Sequence, residues 1–427
     1  MTKADIIAVL DSPDHLETLY RSDPERFRRS FPDALAQHPD SLVLKIWQER
    51  LKPLSETASE RQPLWLMLSV IIVTALLFRL SAFSIGDDHL FEPKLFFPLL
   101  LTGQIVYFLT RLQPQAKRVW WVLSLAAACF LFSLLLPEAP PDSYVRKLFE
   151  PNNTDADVIT LSRIHLPLVF WSLLGVAFCG QNLQSTVRRM QYLRFWGETL
   201  IYTTMILLGG VVLSTLAIAL FHLIEVDIFK WYFQNIVVIG LISAPLVATY
   251  VADVLTAKQP KLTSLLANLF SPLFLLLVAG YLVAMAIQHT NPVVNRDALI
   301  SFNGLLLIVL AITVFSLSDQ NASKQPRWLM LVNIGLIAVT LLIDAIALTA
   351  ITVRLASMGF TPNRITVLGA NLLVFIHLIG LLHGYWSTLK DPGHYARLEQ
   401  WIAGYLPVYS VWSIAVTFGF PLLYGVF

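Results

Sequence analysis

The sequence predicts an all-α fold, a polytopic membrane helix bundle with about 11 transmembrane helices and a small N-terminal helical segment. Only 14% of the 427 residues are charged, whereas soluble domains carry about 25%. Hydrophobic residues make up 56% of the chain. From residue 64 onward they form runs of roughly 17–26 residues, enough to cross a ~30 Å hydrocarbon core. This composition excludes a soluble globular domain, a disordered chain and a nucleic-acid binder with a basic surface.

The first 63 residues differ from the rest, because they hold nine Lys or Arg and eleven Asp or Glu. A capping side chain before a proline predicts a helix start, and this pattern occurs at Ser12-Pro13 and Asp23-Pro24. Pro32 is expected to end the helix that follows. We predict three or four short amphipathic helices in a cytoplasmic segment, 1–63, followed by a transmembrane domain, 64–427.

Eleven apolar runs are predicted to cross the membrane, because a helix satisfies its own backbone hydrogen bonds in lipid. The run at 95–110 is short and contains Pro98, so the count ranges from ten to twelve. The predicted spans are 64–84, 95–110, 119–136, 164–180, 199–222, 231–254, 263–288, 298–318, 328–352, 364–388 and 400–426.

The distribution of Lys and Arg predicts the orientation of the chain. With the N-terminus inside, the inner segments hold 21 of these residues and the outer segments hold 8. Because cytoplasmic loops carry the excess of positive charge, we expect the N-terminus inside and the C-terminus outside. We place the chain in the bacterial cytoplasmic (inner) membrane. No leader precedes the first apolar run, so the first helix is expected to serve as the insertion signal.

Polar side chains within the apolar runs indicate a candidate site. Asp344 lies about eight residues, or ~12 Å, from the outer end of its predicted span, and an intramembrane charge costs about 2.5–3.5 kcal/mol. Asn371 lies at a similar depth, His377 lies near mid-depth, and Asn303 and Arg79 lie toward outer helix ends. We predict a polar pocket for a ligand or proton in the outer half of the bundle, formed by these five residues. Within it, Asp344 and His377 could exchange a proton.

A structural role for the same residues is the alternative. Asp344 and Asn371 could hydrogen-bond neighbouring helices, and Arg79 could extend to the outer headgroups. His377 shares a helix face with two glycines at a spacing that permits close helix packing, Gly380 and Gly384. Asp253 stands at an inner helix end and is expected to reach water.

Few features of the chain point to catalysis or to a cofactor. The motifs of zinc proteases, serine hydrolases and P-loop ATPases do not occur in the sequence. No metal site and no cofactor are expected. The two cysteines, Cys129 and Cys179, lie in apolar runs and are expected to be free and buried. The first outer loop gathers acidic residues that could act as a base and metal ligand on a lipid-linked substrate, and it contains Asp87, Asp88, His89 and Glu92.

The segment 354–364, RLASMGFTPNR, together with the apolar helix after it, resembles a bacterial multi-pass membrane family, domain of unknown function 4153. The family pattern of a late turn is matched by four residues, Arg354, Gly359, Thr361 and Arg364. Ser357 stands where the family has a glutamate, so the resemblance implies no role for that acid in this chain. The resemblance implies a multi-pass membrane protein and no established activity.

This outer turn also has a physical interpretation of its own. Gly359 can supply a positive φ, and Thr361-Pro362 is typical of a helix cap followed by a first-position proline. Arg354 and Arg364 bracket the turn, where they could attract an anionic headgroup or solute, or could extend to the interface.

Three functions follow as hypotheses. The first is binding or transport of a small solute or lipid through the outer pocket, because eleven helices exceed what an anchor needs. The second is a non-catalytic sensor or assembly protein that uses residues 1–63 to bind a cytoplasmic protein partner. The third is a membrane enzyme that uses Asp87 or Asp88, although the chain favours a non-enzyme. The lipid bilayer is the expected partner in every case, and nucleic acid is not.

Overall fold

The computed structural model describes residues 3–10, 13–22, 24–38, 41–51, 64–85, 93–111, 116–137, 154–223, 225–254, 262–287, 296–317 and 326–426. Regular structure in these ranges is helical, and none of them contains a strand. The chain divides into two compact units, Met1–Pro63 and Leu64–Phe427. The predicted all-α fold is confirmed.

The first unit is a small helical cluster with an aromatic core. Its helices are α1 (Lys3–Ile7), α2 (Pro13–Ser22), α3 (Pro24–Gln37) and α4 (Leu42–Leu51). Helices α2 and α3 begin at the two prolines where starts were predicted. The ring of Phe27 is completely buried, with its centroid 5.6 Å from that of Tyr20 and 5.2 Å from that of Trp47. Three helices therefore contribute aromatic side chains to this core, and α3 contributes both Phe27 and Phe31.

The prediction that Pro32 ends a helix is wrong. Pro32 lies inside α3, which continues to Gln37. An interior proline costs a helix ~3 kcal/mol. Phe27, Phe31 and Ala34 are buried on both sides of Pro32, and burial of aromatic side chains at about 1.5–3 kcal/mol each offsets that loss.

The second unit is built from longer and more apolar helices. They are α5 (Leu64–Ile85), α6 (Pro93–Arg111), α7 (Ala116–Leu135), α8 (Thr154–Cys179), α9 (Thr186–Leu223), α10 (Phe229–Tyr232), α11 (Val238–Val254), α12 (Leu262–Ile287), α13 (Arg296–Ser316), α14 (Arg327–Met358), α15 (Pro362–Lys390), α16 (Tyr395–Ile414) and α17 (Phe420–Leu423). Two π-helical turns, Phe233–Val237 and Ala415–Gly419, join α10 to α11 and α16 to α17.

Eight helical stretches of the described chain are long and apolar enough to cross a membrane. They are Lys117–Leu135, Ala156–Asn182, Thr186–Leu223, Phe229–Val254, Thr263–Ile287, Arg327–Ser357, Pro362–Lys390 and Pro392–Leu423. Three shorter apolar helices coincide with the other predicted spans, Leu64–Leu80, Leu95–Arg111 and Phe302–Ser316. The membrane-spanning type of bundle is therefore supported, while the count of eleven stays a prediction.

Helices α12 to α16 position the candidate site. Helices α13, α14 and α15 pack against one another, α12 packs against α13 and α14, and α16 packs against α15. Helix α14 continues six residues past its predicted end at residue 352, because Gly359 is the first residue to leave the helix. Asp344 stands 17 residues after Arg327 and 14 before Met358. It therefore lies near the middle of α14.

Candidate functional site

The turn between α14 and α15 has the predicted backbone geometry. Gly359 has a φ of 83°, in the region that favours glycine. The hydroxyl of Thr361 accepts a hydrogen bond from the backbone N–H of Arg364, and Pro362 is the first residue of α15. The Nη1 of Arg364 donates to the carbonyl of Gly359 over 2.8 Å. Arg364 thus closes the turn, and Arg354 lies half-buried before it.

Asp344 occupies an unusual environment for a carboxyl group. Its side chain is completely buried, and neither carboxylate oxygen has a hydrogen-bond partner among the described residues. Ile343 and Ala347, on the same stretch of α14, are completely buried in an apolar cluster. Because buried polar groups are normally hydrogen-bonded, a buried acid without a donor needs an explanation.

Two amides lie on the helices that pack against α14. The Nδ2 of Asn333 lies 3.4 Å from the hydroxyl of Tyr385, which fixes the register of antiparallel α14 and α15. Asp344 lies eleven residues after Asn333 on α14, and Val374 lies eleven residues before Tyr385 on α15. Asp344 is therefore at the level of Val374, within one turn, ~5 Å along the axis, of Asn371. The Nδ2 of Asn371 is buried without a partner, as is the Oδ1 of Asn303 on α13, among the residues described. Asp344, Asn371 and Asn303 therefore share one group of three helices.

The structure places His377 with a different set of partners than predicted. Its ring stacks on Tyr405 with the centroids 4.4 Å apart, and its Nδ1 lies 2.9 Å from the hydroxyl of Tyr409. The indole N–H of Trp401 donates to the His377 carbonyl. Six residues separate His377 from Asn371, so the two point about 120° apart around α15. No hydrogen bond joins His377 to Asp344 in this conformation, and proton exchange between the two side chains stays a prediction.

Arg79 does not belong to this group of helices. It lies on α5, which packs mainly against α6 and α11. Its Nη1 is buried and has no partner within the described ranges. The predicted five-residue pocket is therefore divided into Asp344 with the two amides, His377 facing α16, and Arg79 on α5.

A buried polar network at the C-terminal end of α13 was missed by the sequence analysis. The hydroxyl of Ser316 donates to the Oδ1 of Asn268 over 2.6 Å, and the Nδ2 of Asn333 donates to that hydroxyl over 2.9 Å. The hydroxyl of Tyr385 donates to the carbonyl of Thr313 over 2.7 Å. Asn333, Thr313 and Ser316 are completely buried. The network joins α12, α13, α14 and α15.

Side-chain hydroxyls from other helices complete the end of α13. Tyr395 donates to the carbonyl of Leu317 over 2.7 Å, and Ser264 lies 3.5 Å from the carbonyl of Ser316. The last carbonyls of a helix lack partners within it, so these hydroxyls satisfy them where water is scarce. In the sequence, the only signal was the occurrence of single amides and hydroxyls inside apolar runs, and their convergence required the fold.

Two further acids are buried near helix ends. Asp253 was expected to reach water, and this expectation is wrong. Its side chain is only 7% exposed, accepts a hydrogen bond of 2.7 Å from the hydroxyl of Tyr107, and pairs with Arg111. The end of α6 supplies both partners because α6 packs against α11. The charge of Asp253 is therefore balanced by Arg111, and the hydroxyl of Tyr107 donates a hydrogen bond to the same carboxylate.

Glu198 on α9 lies one residue before its predicted span and was not identified. One of its oxygens, Oε1, accepts a hydrogen bond from the hydroxyl of Thr263 over 3.0 Å, at the start of α12. The other oxygen, Oε2, is buried without a partner in the part of the chain that the structure describes. Glu198 thus caps a helix N-terminus, a favourable position for a carboxylate.

Among the described residues of the second unit, apolar cavities occur at two places. One has a volume of 220 Å³ between α5 and α6, and the other has a volume of 380 Å³ against α15 and α16. The larger is lined by Leu373, Pro407, Val408, Val411, Trp412 and Ala415. Neither of these two cavities is lined by Asp344, Asn371 or His377.

The remaining chemical predictions have mixed outcomes. Cys129 and Cys179 are free and buried, as predicted. Within the described ranges, no three His, Cys, Asp or Glu side chains converge on a position that could hold a metal ion. The acidic loop residues of the enzyme hypothesis lie outside the described residues: Asp87, Asp88, His89 and Glu92.

Comparison of the chain with protein-family models, curated proteins and solved structures gives no match. The resemblance to domain of unknown function 4153 therefore stays a prediction that rests on the turn residues quoted above. The structure by itself is that of a multi-helix apolar protein of the membrane-spanning type.

Proposed function

We propose that the chain binds or transports a small solute or lipid through the second unit, with Asp344 as the group that holds a proton or a cation. The observation that carries this proposal is the complete burial of a carboxyl group whose two oxygens have no partner among the described residues. An unpaired carboxylate is too costly to keep in an apolar interior, so a proton or a bound cation has to neutralise it.

A comparison with Asp253 favours this role over a structural one. An acid that joins helices should accept hydrogen bonds from its neighbours, as Asp253 does from Tyr107 and Arg111. Asp344 accepts none within the described ranges, although it stands near the middle of a helix. Ionisable residues at such depths are generally retained for proton or ion movement or for ligand binding.

Two amides supply the recognition groups of the proposed site. Asn371 and Asn303 lie on α15 and α13, which both pack against α14, and each has a buried polar atom without a partner among the described residues. Amides donate and accept hydrogen bonds and carry no charge, so they suit a neutral polar group of a solute or lipid. Asp344 would supply the charge-dependent part of binding.

The location of the chain belongs to the same proposal. The excess of Lys and Arg in alternate segments supports a bacterial inner-membrane protein with its N-terminus inside and its C-terminus outside. In this orientation the turn at Gly359 faces outward, and the network at the end of α13 lies toward the cytoplasm.

Access of water to Asp344 tests the proposal without knowledge of the solute. In a background with alanine at Cys129 and Cys179, Asp344→Cys should react with a charged, membrane-impermeant thiol reagent in lipid vesicles. Leu342→Cys provides the matched control, because Leu342 lies on the outward face of α14 at nearly the same depth. It should not react, because the bilayer around it excludes a charged reagent.

A positive control shows that the reagent reacts with an exposed cysteine of this chain. Phe360→Cys, at the exposed turn, should react quickly. Reaction of Asp344→Cys at a rate well above that of Leu342→Cys would support an aqueous path to the site. If Phe360→Cys reacts while Asp344→Cys stays unmodified from both sides of the membrane, the transport proposal is wrong.

A further inference from the structure

The network at the end of α13 contains only neutral oxygen and amide groups, and it is more than the cap of a helix. Ser316, Asn268 and Tyr385 form hydrogen bonds that satisfy one another and the Thr313 carbonyl. A cap needs donors for the carbonyls, and these are already in place. Asn333 adds an acceptor, Oδ1, that is completely buried and has no partner among the described residues.

We propose that this network binds a sodium ion. The ion would be held by the side-chain oxygens of Asn333, Ser316 and Asn268 and by the carbonyl of Thr313. Hydroxyl, amide and carbonyl oxygens are the ligands that hard cations prefer. Because the network contains no carboxylate, its ligands suit a single positive charge better than a divalent ion.

The end of α13 supplies the electrostatic attraction. The C-terminus of a helix carries a partial negative charge of about half an elementary charge, which favours a cation there. The carbonyls of Thr313 and Ser316 both lie in the last turn of α13. Helix ends and free carbonyls are the groups that coordinate monovalent cations inside membrane proteins.

Asn333 is the residue that converts the network into a cation site. Its Nδ2 now lies 2.9 Å from the hydroxyl of Ser316. Rotation of the amide brings its unpartnered Oδ1 to the same place, while the hydroxyl of Ser316 keeps its hydrogen bond to Asn268. The ion thereby gains three side-chain oxygens without movement of the backbone. The site lies eleven residues, ~16 Å, from Asp344 along α14, so it does not rest on the role proposed for Asp344.

Sodium binding can be measured on the purified full chain in detergent. Melting temperatures are compared in the chlorides of sodium, potassium and choline at equal ionic strength. A ligand that binds only the folded state raises the melting temperature, so we expect the highest value in sodium. Binding of radioactive sodium to the same protein gives a direct second readout.

Two variants locate the site. Ser316→Ala and Asn268→Ala each remove one ligand oxygen, and each should abolish both the sodium-specific rise and the bound radioactivity. Thr340→Val is the matched control, because Thr340 is completely buried on α14 and, among the described residues, its hydroxyl bonds only the Leu336 carbonyl of the same helix. This variant should keep the full sodium effect.

The proposal is overturned if sodium, potassium and choline give the same melting temperature and no radioactive sodium binds. It is also overturned if potassium gives the larger rise. A sodium effect that survives in both Ser316→Ala and Asn268→Ala would place the ion elsewhere and would contradict the assignment.

Discussion

Gly380→Ala is expected to destabilise the protein by about 1–3 kcal/mol, the usual range for overpacking a well-packed interface. A Cβ added at Gly380 would lie 2.0 Å from the Cε2 atom of the Trp401 ring. The indole must therefore move, and its hydrogen bond to the carbonyl of His377 is lost. The measurement is the melting temperature of the purified protein in detergent.

Gly404→Ala is the matched control on the facing helix. No atom of the described residues lies within 4 Å of a Cβ built at Gly404, and alanine favours helix by up to about 1 kcal/mol over glycine. We therefore expect this variant to melt at the same temperature as the native chain or higher. Equal melting temperatures for Gly380→Ala and Gly404→Ala would show that the Trp401 ring is not seated against Gly380.

Asp344→Leu is expected to change stability in the opposite direction to Gly380→Ala. It should raise the free energy of unfolding by about 1–3 kcal/mol. A buried polar group without a hydrogen bond lowers stability by this amount, and an apolar side chain of similar size removes the loss. Natural chains keep such unfavourable groups at functional sites. Melting temperatures again provide the measurement.

Asp253→Leu gives the contrasting case in the same chain. Asp253 is buried with Arg111 and Tyr107, and removal of one partner from a buried ion pair costs about 3–5 kcal/mol. We expect a clear fall in melting temperature for this variant. If Asp344→Leu lowers the melting temperature as much as Asp253→Leu does, then Asp344 has a structural partner and the functional interpretation fails.

Much of the fold could be predicted from local patterns. Long apolar runs identify the helices because lipid leaves the backbone no alternative. The turn between α14 and α15 follows from Gly359 and Thr361-Pro362, whose conformational preferences act within a few residues. Pro32 shows where local rules fail, because burial of Phe27 and Phe31 keeps α3 intact across it.

The candidate site could be predicted only in part. Asp344 was identifiable because an acid inside an apolar run is costly wherever its neighbours lie. The partner of His377 was not identifiable, because it depends on which face of α15 meets α16, and depth along the helix does not contain that information. The same reason hid the link between Asn333 and Ser316, which lie 17 residues apart on two different helices.

Reaction of Asp344 with a hydrophobic carbodiimide tests the central claim most directly. Such reagents enter the bilayer and modify carboxyl groups that are protonated in apolar surroundings. In membranes containing the native chain, mass spectrometry should find the reagent on the peptide that carries Asp344. Asp253, which is buried beside Arg111, should stay unmodified. Absence of the reagent from Asp344, or equal modification of the two acids, would contradict the claim that Asp344 is an unpaired, protonated group within the bundle.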